Sequence, residues 1–519
     1  MDIIKDLYKK IPKNIWICFV SGIVWGLITH IYMITHKLPN WDDLYNLRGF
    51  GSGAEYGRWL LEFIRPLYGK WSVPALNGVL AIILWAMAAC FIYAALRLET
   101  VTSAVLLSFM VMTFPSIACT MTFMFTVTCY ALGILFVCAG VYCYQKGRYG
   151  FIPAILLFVL SLGIYQSYIC LAAGMLVCLF MVRLLRGSTF WSVWKECIKA
   201  LVTLGITMVI YLFISNHMND NLTTDRGIDT MGQIPLSRLP RLIARAYKRI
   251  LEYFVIEPLS FTTPVAQVLN ILICVAIAGL LIWLVWRRRI WKEWKSTLLI
   301  FVLALLIPLA LASIYILAPE TQDATMQMLH QYFFVYVVLL VLGELVMGQI
   351  QGREHTVKAW MNTGLAWIAT LLIVLIGYQN YILTNEAYFR TSIAFDRANS
   401  YYNRIMVNVE AQEGYQYGDT VSILGNFYPE AYPVENNPID DDKFVDMSGV
   451  AMENGLLTEG VRTWFLKTYL GIETEALTSE EMEDIKATAQ YEAMPLYPAQ
   501  GSIAKIEDVW VVKIHENEE

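Results

Sequence analysis

Between Ile15 and residue 383 the chain passes through about eleven apolar runs, most of them separated by short segments rich in Lys and Arg. The first is Ile15–Thr35, and the others centre on residues 75–96, 101–118, 122–144, 151–165, 168–185, 200–215, 265–286, 297–317, 331–350 and 361–383. Runs of this length match the hydrocarbon thickness of a bilayer, so each reads as a transmembrane helix. The segment 151–185 is too long for one span and tight for two. It divides at Gly163–Ser167, where Tyr165 and Gln166 interrupt the apolar pattern. Only 16% of the 519 residues are charged, against about 25% in soluble proteins, which excludes a soluble multidomain protein and a disordered chain.

Charge sets the orientation. With the N-terminus inside, an alternating count places Arg97, Lys146/Arg148, Arg183/Arg186, Arg287–Arg289 and Arg353/Lys358 on one side, as the positive-inside rule requires. Eleven spans then put the segments 36–74 and 216–264 outside, together with everything after 384. From Asn385 to Glu519 there are 25 acidic and 9 basic residues, a net of −16, whereas the preceding part carries +11. The expected organisation is a polytopic α-helical membrane module over 1–384 and a soluble, extracytoplasmic α/β domain over 385–519. In that domain Asn385–Val409 reads as a helix, Thr420–Gly425 as a buried strand, Val461–Tyr469 as a helix and Ile503–Ile514 as a strand or hairpin, with loops at Asn436–Pro438 and Asp440–Asp442. All ten cysteines lie between Cys18 and Cys274, in no metal-ligand spacing, and no disulfide can form in the tail.

The first outer loop carries the densest chemistry: Trp41, Asp42 and Asp43 just beyond the first span, then Arg48, Glu55, Arg58 and Trp59. Adjacent carboxylates repel, which holds one towards its protonated form unless a cation or donor stands beside it. Such a carboxylate can take the proton of a hydroxyl. Of the two, Asp43 is assigned as the base, because Asp42 is better placed to cap the following turn. The bland reading is an ordinary acidic first turn. Any divalent cation would find its ligands in Asp42 and Asp43. The glycines at 49, 51 and 53 lack the spacing of a phosphate loop.

In the second outer loop Arg226 precedes Arg238, Arg241, Arg245, Lys248 and Arg249, which interleave with Leu239, Leu242, Ile243, Ala246 and Ile250. That pattern makes an interfacial helix with a cationic face. It suits either anionic lipid headgroups or, through the guanidinium fork of Arg241, Arg245 and Arg249, a lipid-linked phosphate. Tyr165 and Gln166 at the helix break either line a cavity or serve as polar packing contacts between helices, and Asp323, His330 and Gln331 at the outer mouth of the tenth span carry a lesser signal of the same kind. Glu344, deep in that span, reads as paired within the bundle.

Trp41-Asp42-Asp43, Glu55-Tyr56-Gly57-Arg58-Trp59, Ile164-Tyr165-Gln166-Ser167-Tyr168, and Asn385-Glu386-Ala387-Tyr388-Phe389 with Asp396-Arg397 and a strand ending Leu424-Gly425-Asn426, in that order, resemble the bacterial Gtr-type glucosyltransferases. These are the type II O-antigen family of GT-C architecture. The resemblance implies a sugar, glucose foremost, moved from a polyprenyl-phosphate donor to a cell-envelope glycan. It implies inversion at the anomeric carbon, a first-loop aspartate as base, and a place in the bacterial cytoplasmic membrane with the tail outside. Where the family leads one to expect an arginine near the tenth helix, this chain has Asp323 to Tyr332, which shifts the phosphate contact towards Arg241–Arg249. The competing classes are a transporter or flippase of lipid-linked saccharides, an envelope polymerase, and a sensor that uses the acidic tail. A transporter would need cations within a central cavity and two related halves, and the sequence has neither. Nothing points to nucleic acid.

Overall fold

The structure, a computed structural model, describes residues 9–49, 53–218, 222–223, 228, 231–233, 236–321, 324–348, 357–425, 442–450, 456–457, 459–472 and 477–514. Gly51, Arg226, Asp323, Arg353, Asn426 and the expected loops Asn436–Pro438 and Asp440–Asp441 lie outside them.

Each of the eleven apolar runs carries helix among its described residues. Among the described residues nine helices are long and apolar enough to cross a membrane, and one bent pair could serve as a tenth. The elements are α1 (Lys13–Thr35), α2 (Trp41–Tyr45), α3 (Pro74–Leu96), α4 (Val101–Thr113), α5 (Pro115–Thr122), α6 (Val127–Tyr144), α7 (Phe151–Leu162), α8 (Tyr168–Leu185), α9 (Phe190–Met218), α10 (Leu239–Leu251), α11 (Pro264–Arg287), α12 (Trp294–Leu311), α13 (Phe334–Met347) and α14 (Val357–Glu410). Helices α4 and α5 meet at 46°. Pro115 lacks the N–H that would continue α4 and pushes Phe114 to an extended ψ of 134°. The run 151–165 yields only the 12-residue α7, which covers about 18 Å and falls short of a bilayer core of about 30 Å.

The described connecting segments gather at two ends. At one end Arg186 donates to the carbonyls of Leu96 and Arg97, Arg288 to that of Leu345, and Gln145 to that of Ala95. There Glu344 leaves the bundle and accepts from the backbone N–H groups of Glu99 and Thr100 at the start of α4. At the other end the first loop meets the 123–126 turn, the break at Gly163 and Thr223 of the second loop.

The tail does not hang from a linker. Helix α14 runs unbroken for 54 residues through the boundary expected at 384/385. Beyond it, β1 (Thr420–Leu424) pairs in parallel with β3 (Val509–Lys513), which pairs antiparallel with β2 (Ile503–Ile506). The hairpin expected over Ile503–Ile514 is therefore present, and α15 (Glu459–Phe465) opens the helix expected from Val461. Tyr402, Ile405 and Val409 of α14 pack with Val421, Phe465 and Val512 in one core, and Leu44 of the first loop is part of it. The buried Arg462 holds the tail together by donating to the carbonyls of Leu457, Ile423 and Gly425.

Candidate active site

Local structure decides the division of labour between the two aspartates. Asn40, not Asp42, caps α2: its side chain accepts from the Asp43 N–H at 2.8 Å. Asp43 points inward and is fully buried. One carboxylate oxygen accepts from Ser72 Oγ (2.7 Å) and from the Phe125 N–H (3.0 Å), and the other from the Lys37 ammonium. Lys37 also donates to Ser72 Oγ at 2.9 Å. Burial pushes the Lys37 ammonium towards its neutral form, against the opposing pull of Asp43. The neighbouring cation that an Asp-Asp pair requires is therefore Lys37, and it ties the start of the first loop to its end and to the α5–α6 turn. The Lys37 ammonium sits where a metal would bind Asp43, so this pair does not fit a divalent cation. Among the described residues no three His, Cys, Asp or Glu side chains converge as a metal site. Asp42, the preceding residue of α2, is only partly buried.

Phe125 joins this network to a second one. Its ring lies under Arg65, 4.9 Å from the guanidinium carbon, and its carbonyl accepts from the Tyr68 hydroxyl. Helix α6 begins two residues later, and Tyr130 on its first turns accepts from Arg58 at 3.2 Å. Arg58 lies over the rings of Tyr165 (4.7 Å) and Tyr56 (5.4 Å). Among the described residues it has no carboxylate partner, and its Nε is buried without a hydrogen bond. Gly57 makes this packing possible. Its φ of +69° suits glycine, and a Cβ there would lie 2.6 Å from the Tyr211 hydroxyl. Gln166 donates to the Tyr56 carbonyl and to Tyr211 Oη, and Tyr211 donates on to the Gly57 carbonyl. Trp59 packs flat on Gly163, where a Cβ would approach its ring to 2.6 Å. The Gln166 break and the Arg58 segment thus form one unit. A cavity of about 160 Å³ adjoins it, lined by Tyr211, Ser215, Asn216, Gly232 and Gln233. Glu55 is turned away, exposed, with its carbonyl accepting from Thr223.

His330 is buried against Phe114, Tyr168 and Phe333, with Nδ1 hydrogen-bonded to Ser116 Oγ at 2.7 Å. A ladder of rings, Tyr165 to Tyr168 to His330, connects it to Arg58. Helix α10 has the expected amphipathic form, burying Leu242, Ala246 and Ile250. Its cationic face is less available than the sequence suggests. Lys248 and Arg249 share Glu252 at 3.4 Å each, Arg238 pairs with Glu320, and Arg245 donates to the Pro319 carbonyl and lies over Tyr315. Arg241 is exposed. Of the three arginines expected to clamp a phosphate, Arg249 is thus paired with Glu252, an acid that lies one turn beyond the basic cluster in the sequence. Ser72 and Phe125, which hold Asp43, Tyr130, which holds Arg58, and Tyr211, which bridges Gln166 and the Gly57 carbonyl, carry no sequence signal, because each sits in or beside an apolar run.

No curated protein matches the sequence. A family of glucosyl transferases, GtrII, matches residues 31–347, more than half of the chain, and the match takes in both aspartates, the Arg58 segment, the Gln166 break, α10 and His330. With helices built to cross a membrane and a match of that extent, the chain belongs to the glucosyl transferase GtrII family of membrane glycosyltransferases.

Proposed function

We propose that this protein is an inverting glycosyltransferase of GT-C architecture that moves glucose from a polyprenyl-phosphate donor to an envelope glycan at the outer face of the bacterial cytoplasmic membrane. The observation that carries this reading is the placement, at one end of the helix bundle, of the Asp43 network and, joined to it through Phe125 and the start of α6, of Arg58, a half-buried cation that no acid neutralises among the described residues. A cation held by phenols alone is poised for an anionic ligand, since its desolvation is otherwise uncompensated. Arg58 takes the donor phosphate, with Arg245 and Arg249 as outer contacts, and the hexose occupies the polar cavity beside Gly57. The prenyl tail follows a wholly apolar cavity of about 220 Å³ between α8, α10, α11, α12 and α13, lined by Ile250, Phe254, Ile277, Pro308 and Val338 among others.

In this reading Asp42 is the base and Asp43 the residue that positions it. Three donors already occupy the Asp43 carboxylate, which leaves little room for a substrate hydroxyl. Asp42 takes the proton of the acceptor hydroxyl as its oxygen attacks the anomeric carbon from the face opposite the phosphate. The bond from that carbon to the phosphate oxygen breaks, and the electron pair leaves on polyprenyl phosphate, whose charge Arg58 stabilises. The test is steady-state kinetics of the purified protein with a polyprenyl-phosphate glucose. Arg58→Gln should raise the donor KM by roughly ten- to a hundredfold, the worth of one charge-assisted contact, and Arg58→Lys by less. A donor KM unchanged in Arg58→Gln would move the phosphate site elsewhere.

A further inference from the structure

The first loop and the tail meet in a pair of aromatic rings that the site described above does not use. Tyr45 of α2 and Trp464 of α15 touch edge to face, with ring centroids 5.9 Å apart and planes at 72°. Both are exposed, at 39% and 44%. Their exposure is not for want of a core to enter. Leu44, next to Tyr45, is buried in the tail core, and so are Val461 and Phe465 on the helix that carries Trp464. Each helix therefore already has its apolar face buried and presents one further large ring outward. Asp42 and Tyr45 are three residues apart on one helix, so they lie on the same face. The Tyr45 phenol is pushed up in pKa first by burial and then by the charge of Asp42, in keeping with that proximity.

We propose that Tyr45 and Trp464 form the platform on which the acceptor saccharide rests, presenting its hydroxyl to Asp42. The proposal rests on the glycosyltransferase reading and locates that reaction's second substrate. A pyranose offers a face of C–H bonds and a rim of hydroxyls. Flat, electron-rich rings beside a hydrogen-bonding carboxylate complement both parts. The segment that carries Trp464 opposes a lipid surface as the occupant, because the sequence from Asn385 onward has a net charge of −16, which an anionic leaflet repels. The arrangement also separates the two substrates. The donor comes laterally from the bilayer to Arg58, and the acceptor comes from the aqueous side across the tail. Trp464 belongs to the tail, outside residues 31–347, so the acceptor subsite is completed by a part of the chain beyond the family match.

The test uses full-length protein, polyprenyl-phosphate glucose as donor, and as acceptor the envelope polysaccharide extracted from cells in which this gene is deleted. Trp464→Ala and Trp464→Leu should each raise the acceptor KM roughly threefold to tenfold, the worth of one aromatic contact, while the donor KM changes by less than about twofold. Trp464→Phe, which keeps a ring, should restore most of the affinity. An acceptor KM unchanged in both Trp464→Ala and Trp464→Leu overturns the platform. So does an equal rise in both substrates' KM, or a Trp464→Phe protein as impaired as Trp464→Leu, since either marks Trp464 as packing only. Absence of transfer by the unaltered protein would instead sink the glycosyltransferase reading, so the two failures are distinguishable.

Discussion

At the scale of single residues, the decisive contact is the one between Lys37 and Asp43. The sequence places Asp42 and Asp43 side by side as candidate bases, but it does not say which one turns inward. That follows from Asn40 taking the cap and from Ser72 and the Phe125 N–H converging on one carboxylate. The two Asn variants should therefore fail in different ways. Asp42→Asn should leave thermal unfolding in detergent unchanged and lower kcat by about a hundredfold or more, as expected for loss of a general base. Asp43→Asn should lower the unfolding temperature, because it leaves the Lys37 ammonium with no carboxylate opposite. Adding Lys37→Met to Asp43→Asn should recover part of that stability, since the stranded charge goes with its partner. Full turnover in Asp42→Asn would return the base to Asp43.

At the scale of elements, short range and long range contribute separately. The amphipathic α10 was legible in its spacing, and so were the apolar runs of the spans, because each follows from neighbours within a turn or two; the break that Pro115 makes within the run 101–118 came only with the structure. That Glu252 would neutralise Lys248 and Arg249 follows from the turn continuing past Leu251, which charge clustering alone does not register. Helix breaks are where elements touch: the Gln166 break meets the first loop through Gly57 and Gly163, positions at which a methyl group has no space. Gly57→Ala should cost roughly 1–3 kcal/mol from overpacking against Tyr211, with an added penalty for its positive φ. Because it displaces the neighbouring Arg58, it should raise the donor KM in parallel with Arg58→Gln. Calorimetry and donor kinetics on the same preparation check both effects, and a donor KM left untouched would uncouple the turn from the cation.

At the scale of the whole molecule, the loops sort to two ends, and the acidic tail is fastened to one of them by α14 and by Leu44. If that end faces outward, a cysteine replacing the exposed Ser479 should react with a membrane-impermeant maleimide in intact cells, whereas one replacing Lys292 should react only after permeabilisation. The native cysteines are buried or half-buried, which keeps the background low. The reverse pattern would invert the topology and place both aspartates inside. The order of the apolar helices and the existence of a charged tail were written in the sequence. A bilayer demands an apolar, internally hydrogen-bonded segment at every crossing, and that demand acts locally along the chain. The partners of Asp43, the phenol cage of Arg58, the continuity of α14 across the expected domain boundary and the meeting of Tyr45 with Trp464 came only with tertiary packing. Each joins groups far apart in sequence, and their proximity depends on how every intervening helix packs.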